Sequence, residues 1–216
     1  MSYLLACQAS DVFKAVAPVA GCMMTWLYDS CVPTSPIPVF EIHGTEDDVT
    51  WWDGADENNN DGYGPWESVD TTFEFWTQMN SCTEFTIDTL PDLDMSDGSY
   101  VVSHKNTNGI NNNEVWLYEI VNGGHDWPGV WGNMDISTGE EIWNFFENFI
   151  NNDLDILDDN QNQGLNTFLL PQMVRSRRRK GSNQFWMQGW IVSSFRLAQE
   201  LPNLSKESRV EMISGL

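Results

Sequence analysis

Apolar positions recur along this chain with two different periods. Residues 1–10 (MSYLLACQAS) place Tyr3, Leu4, Ala6 and Cys7 at helical spacing, which predicts a short helix with no capping residue before it. AVAPVAG (15–21) is a run of small and β-branched residues that ends in glycine, as a buried strand does when its end must stay uncrowded. PIPVFEIHG (36–44) has prolines at its start, β-branched and aromatic residues inside and glycine at its end, and predicts a second buried strand. EVWLYEIVNGG (114–124) predicts a third. The period then changes to helical. Residues 69–80 set Phe73, Trp76 and Met79 on one face. In residues 137–150, Ser137 or Thr138 precedes Glu140 and Glu141 like a capping box, and Trp143, Phe146 and Ile150 repeat at helical spacing. The stretches 53–68 and 92–113 are rich in Gly, Asn and Asp and read as loops.

Buried-type strands alternating with helices predict an α/β fold with a mostly parallel sheet flanked by helices. No internal repeat is visible. Composition supports a packed domain, because 41% hydrophobic residues are enough for a core and exclude a wholly disordered chain. No apolar run reaches the length of a membrane helix. Met1 opens onto SYLLACQAS without a basic region or a small-residue cleavage site, so these residues do not read as a signal peptide.

Charge changes the domain picture. The net charge of −22 is unevenly spread. Residues 1–170 carry 29 acids and only Lys14 and Lys105 as bases, whereas residues 171–216 carry eight bases and three acids. Such a shift predicts a boundary: a folded portion over 1–152, an Asn/Asp/Gln-rich linker over 153–172, and a basic tail over 173–216 that is disordered or forms one short helix. The strong acidity argues against general nucleic-acid binding, which depends on Lys and Arg at phosphates. The basic cluster at 175–180 reads as incidental rather than as a nucleic-acid patch.

Four cysteines (7, 22, 31 and 82) with no CxxC make a zinc or thioredoxin-type site a poor fit. An even count favours disulfides and export over buried free thiols. The loop DENNNDGYGPWE (56–67) offers oxygen donors, but with Gly62 at position six of an EF-hand, position twelve is Ser68 rather than a glutamate. A surface turn is the better reading, and no cofactor is implied.

Chemistry concentrates at two strand ends, where open α/β sheets bind ligands. One reads His43-Gly44-Thr45-Glu46-Asp47-Asp48-Val49, the other Asn122-Gly123-Gly124-His125-Asp126-Trp127-Pro128-Gly129. An acid after one strand and a histidine after a later one follow the Ser…Asp/Glu…His order of hydrolytic triads. On chemistry alone Glu46, Asp47 and Asp48 are all candidates for the acid. His43 reads as a packed residue supporting its loop, and His104, beside Lys105, as a surface histidine. Trp51, Trp52 and Trp127 adjoin the candidates and either line an aromatic substrate pocket or cover the core.

At these residues the chain resembles the polyhydroxybutyrate-depolymerase and feruloyl-esterase group of α/β-hydrolases. HGTEDDV is similar to that group's HGTxDxxV segment and GGHDWPG to its GGHxWPG histidine loop; LACQASDVFKAVAPVAG and CVPTSPIPVFEIHG resemble the stretch between nucleophile and acid. The resemblance covers roughly residues 1–150. It implies an α/β-hydrolase fold, with Asp47 as triad acid and His125 as triad base. It also implies a disulfide between Cys31 and Cys82. The implied substrate is a polyester or a plant cell-wall ester, met outside the cell after export on a signal peptide preceding these residues, with no nucleic-acid or membrane partner.

No G-x-S-x-G nucleophile elbow occurs in the 216 residues. Met1 aligns with the interior of the helix that follows the family's elbow, so the chain reads as the C-terminal portion of an esterase whose serine lies upstream. By itself it is then expected to be inactive and, lacking strands, to be poorly stable. The rival reading is a non-catalytic polymer- or polysaccharide-binding module that uses exposed tryptophans.

Overall fold

A computed structural model describes residues 1–58 and 64–158. Its elements run in the order helix α1 (Ser2–Gln8), helix α2 (Thr25–Tyr28), strand β1 (Val39–Gly44), helix α3 (Val69–Met79), strands β2 (Glu84–Thr89) and β3 (Tyr100–Thr107), a 3-10 turn (Ile110–Asn112), strand β4 (Val115–Val121) and helix α4 (Thr138–Asp158). The expected basic tail, the expected linker from residue 159 onward, and Gly62 with residues 59–63 of the acidic loop lie outside the described residues.

The four strands form one sheet in the order β1-β4-β3-β2. β1 and β4 are parallel, while β4 with β3 and β3 with β2 are antiparallel. The expectation of a mostly parallel sheet flanked by helices is therefore wrong: the sheet is small and mixed. The reason lies in the connections. Parallel neighbours need a crossover of a dozen or more residues, whereas residues 90–99 and 108–114 return the chain directly and force antiparallel pairing. Within 92–113, expected to be loop, residues Tyr100–Thr107 form strand β3. Its polar residues obscured the alternation (YVVSHKNT), and β2 (EFTIDT) is exposed along its whole length. The 15–21 run does not form a continuous strand. It nevertheless pairs parallel to β1 through bridges Val16↔Val39 and Val19↔Ile42, with the Phe40 amide donating to the Val16 carbonyl and the Ala20 amide to the Ile42 carbonyl.

Alternation along β1 and β4 sends side chains to two apolar layers. On one side Phe40, Ile42, Trp116, Tyr118 and Ile120 meet α4 through Ile142, Phe145 and Phe146. Phe145 is wholly buried, its ring 5.3 Å from Phe40 and 5.1 Å from Trp116. The buried stripe of α4 is thus Ile142, Phe145 and Phe146, with Phe149 packed against it. Trp143, expected on that stripe, is 40% exposed and donates through its indole nitrogen to Glu147. On the other side Val39 and Val115 pack with Trp76 of α3, Tyr3 of α1, Met23 and Leu27. Ser68 caps α3 by accepting the Thr71 amide at 3.0 Å.

The disulfide joins Cys7 to Cys31, not Cys31 to Cys82. Cys7 lies on the buried face of α1, with its Cα 5.1 Å from that of Cys31 just past α2. Cys82 is free, its Sγ 3.9 Å from the Asn113 carbonyl oxygen. Among the described residues no helix is long and apolar enough to cross a membrane.

Candidate active site

The parallel register sets Gly44 at the end of β1 beside Ile120 near the end of β4. Both carboxyl ends therefore open at one edge, and the turns after them run side by side. The Thr45 amide donates to the Ile120 carbonyl at 3.0 Å, the Glu46 amide to the Gly123 carbonyl at 2.9 Å, and the Asn122 amide to Thr45 Oγ1 at 2.9 Å. The approach is so close that a Cβ on Gly44 would stand 2.3 Å from the Gly123 oxygen and 2.4 Å from that of Gly124. Only glycine fits there.

This stitching brings Asp47 and His125 together. His125 Nδ1 lies 2.9 Å from Asp47 Oδ2 and 3.1 Å from Oδ1. Asp47 is buried, and its Oδ1 accepts the amides of Val49 at 2.8 Å and Thr50 at 2.7 Å. The Thr50 hydroxyl lies 3.0 Å from Oδ2 and 2.9 Å from the Ala20 carbonyl, and gives its proton to one of them. Burial alone would raise the Asp47 pKa. The His125 contact, the Thr50 and Val49 amides and the nearby His43 outweigh it, so the carboxyl is held below its usual range. Its neighbours Glu46 and Asp48 are exposed, which leaves Asp47 as the acid of the three that meets the histidine.

His125 has 27% of its side chain exposed. A carboxylate facing Nδ1 fixes the proton on that nitrogen and leaves the lone pair of the neutral ring on Nε2, where it can accept a proton. The Cys22 thiol belongs to the same neighbourhood. Burial first, and the charge of Glu41 second, push it up to about 11, so it stays a thiol and is a weak nucleophile at neutral pH.

The tryptophans divide. Trp51 is 41% exposed, donates to the Asp48 carbonyl at 3.2 Å and packs 6.0 Å from the Trp66 ring. Trp52 places its ring 6.0 Å from His43 at 87° and so supports the loop from behind. Trp127 packs against the core layer below α4, and its carbonyl accepts the amides of Val130 and Trp131. Trp131, which was not singled out in the sequence, is 56% exposed on that same loop. His104 is no simple surface residue: it lies half-buried on β3, with Nε2 2.9 Å from Glu119 Oε2 and its ring against Phe73. Among the described residues no group of three or more His, Cys, Asp or Glu is placed to hold a metal ion.

Three residues of the site had no role in the sequence reading: Thr50, Glu41 and Tyr3. Glu41 left a trace there, since it is a lone acid in the apolar run VFEIHG. It is buried, and it accepts a hydrogen bond from the Tyr3 hydroxyl.

A buried carboxylate facing Nδ1 of a partly exposed histidine is an arrangement that can move a proton at Nε2, and acyl-transfer hydrolases use one of this kind. Comparison with known proteins agrees at a coarse level. Over 86 residues the chain is 31% identical to feruloyl esterase B of Piromyces equi, a match that takes in 38% of this chain and 16% of that protein. No protein-family profile matches the chain. The relationship is therefore esterase-like over that stretch.

Proposed function

We propose that these residues carry the acid and the base of a serine carboxylic-ester hydrolase. His125 takes the proton of a serine nucleophile through Nε2 and returns it to the leaving alcohol. Asp47 keeps the ring in the Nδ1–H tautomer and stabilises the imidazolium that forms. The attacked carbonyl passes through a tetrahedral intermediate to an acyl-enzyme, which water then hydrolyses by the same proton path. The observation that carries this reading is the buried Asp47 carboxylate 2.9 Å from His125 Nδ1. The likeness to feruloyl esterase B supports ester hydrolysis as the reaction class.

The serine is not supplied by a G-x-S-x-G within these 216 residues, so taken alone they have an acid and a base without that nucleophile. The substrate would be a polyester or a plant cell-wall ester, with Trp51 as an exposed aromatic contact beside the acid loop. The disulfide fits an oxidising compartment and so an exported protein. The test is fluorophosphonate labelling of the protein encoded by the longest open frame containing these residues. A single labelled serine is expected, with His125→Gln suppressing the labelling. Labelling that ignores His125 would remove the proposal.

A second reading rests on the exposure of Trp51 and Trp131, 41% and 56%. A non-catalytic module would use such rings to hold a polymer. Retention on insoluble polyester or xylan, with no serine labelled, would favour it.

A further inference from the structure

Behind the Asp47–His125 pair lies a second pair of buried ionisable groups. His43 is 1% exposed and Glu41 3%, both on the side of β1 that faces α1 and α3. His43 Nδ1 stands 3.0 Å from Glu41 Oε1, and its Nε2 stands 2.7 Å from the Thr50 carbonyl oxygen and 3.4 Å from Asp47 Oδ2. The protons can be assigned from the partners. A carbonyl oxygen only accepts, so Nε2 carries a hydrogen. The other oxygen of Glu41 already accepts the Tyr3 hydroxyl, which leaves Oε1 to face Nδ1. With Glu41 ionised, both nitrogens face acceptors, and an imidazolium against that carboxylate satisfies every contact at once.

The position of this cation matters as much as its charge. The Thr50 carbonyl that it holds belongs to the turn whose Val49 and Thr50 amides grip Asp47. Its Nε2–H edge also points a positive charge at the Asp47 carboxylate. We propose that Glu41 and His43 form a buried carboxylate–imidazolium pair that positions Asp47: it fixes the 47–50 turn through the Thr50 carbonyl and favours an ionised Asp47 facing His125. His43 is then a positioning residue, because it acts on the site through Asp47 and the 47–50 turn.

Around His43 stand Glu41 on its own strand, Asp47 on the turn, Tyr3 beyond Glu41, the edge of the Trp52 ring and, in register on β4, Glu119, while the Cys22 thiol lies within reach of the Glu41 and Asp47 charges. Burial works against a charged ring there. The Glu41 hydrogen bond and charge, the Thr50 carbonyl and Asp47 together outweigh it, so the His43 pKa is raised from its ordinary value.

That Asp47 serves catalysis rests on the proposed hydrolase function, whereas the protonation of His43 does not. The experiment is therefore read without turnover. The 216 residues contain three histidines, so nitrogen-15 imidazole NMR resolves each ring. At neutral pH the His43 ring should show two protonated nitrogens, with a slowly exchanging Nδ1 proton, while an ordinary neutral histidine shows one. In Glu41→Gln, which keeps the acceptor for Tyr3, the Nδ1 proton signal should be lost and the Asp47 carboxyl carbon should titrate at higher pH. A bare His43 Nδ1 in the unsubstituted protein overturns the proposal, and this reading needs no variant to fold. An unmoved Asp47 titration in a folded Glu41→Gln protein also overturns it. A doubly protonated His43 in a protein without esterase activity would uphold the pair and count against the hydrolase reading alone.

Discussion

Asparagine at position 47 keeps the shape of the aspartate and takes away one acceptor. In the native site Oδ1 accepts the Val49 and Thr50 amides at 2.8 and 2.7 Å, and Oδ2 faces His125 Nδ1 at 2.9 Å. An amide oxygen retained on the two backbone amides turns its NH2 toward His125. A donor then faces a donor, and the ring escapes by moving its proton to Nε2, which removes the lone pair that would act as base. For an enzyme working through this pair, the wrong tautomer lowers kcat by about 10⁴, or roughly 5 kcal/mol of transition-state stabilisation. The ground state suffers as well. A hydrogen bond to a charged group contributes about 1.5–3 kcal/mol, so Asp47→Asn should cost roughly 2 kcal/mol near neutral pH. The sign with pH follows from linkage. Because the folded-state pKa of Asp47 is lowered, its stabilising contribution is full above the unfolded-state value and lost as pH falls through the folded-state value. The gap between native protein and variant should thus narrow on acidification. Nitrogen-15 NMR of His125 reads the tautomer, and urea melts over a pH series read the gap. A variant that keeps the Nδ1–H tautomer, with a stability difference independent of pH, would refute this reasoning.

Other expectations follow from the packing. In denaturant without reductant, alkylation should mark Cys22 and Cys82 only, and reduction should add Cys7 and Cys31; mass spectrometry distinguishes this pattern from a Cys31–Cys82 bond. Removing the disulfide with Cys7→Ser should cost about 3.5 kcal/mol by loop-closure entropy for a separation of 24 residues, seen as a lower urea midpoint. Phe145→Ala empties a wholly buried site between Phe40 and Trp116 and should cost about 3–5 kcal/mol, whereas Trp143→Ala on the exposed face should stay within about 1 kcal/mol in the same melts. Gly44→Ala would drive a methyl into the Gly123 and Gly124 carbonyls and part the two turns, so the His125–Asp47 hydrogen-bond proton signal should disappear.

Much of the site was legible because its residues sit at strand ends, where an apolar run gives way abruptly to polar residues. VFEIHG followed by TEDD, and VWLYEIV followed by NGGHD, mark Asp47 and His125 as candidates. The choice among three consecutive acids was not settled by chemistry. Burial and the Val49 and Thr50 amides separate Asp47 from Glu46 and Asp48. The mixed order of the sheet is hidden in the sequence because β2 is exposed throughout and β3 has only a weak buried face, so the strongest apolar runs alone suggest parallel order. Of those, only β1 and β4 form a parallel pair within the sheet, while the 15–21 run joins β1 through bridges without becoming a strand. Disulfide connectivity is not legible in the sequence because it depends on where α1 folds, and Cys7 reaches Cys31 through the packing of α1 and α2 in one layer. Glu41 was overlooked although a carboxylate inside a buried strand must have partners, here Tyr3 and His43.

The central claim is that Asp47 and His125 form the acid–base pair of an ester hydrolase. The most direct measurement is turnover of methyl ferulate and of a p-nitrophenyl ester by the protein encoded by the longest open frame containing these residues, alongside its folded His125→Gln variant. The account predicts turnover in the first and a loss of roughly three orders of magnitude or more in the second. No ester turnover in the first, or equal turnover in both, would contradict it.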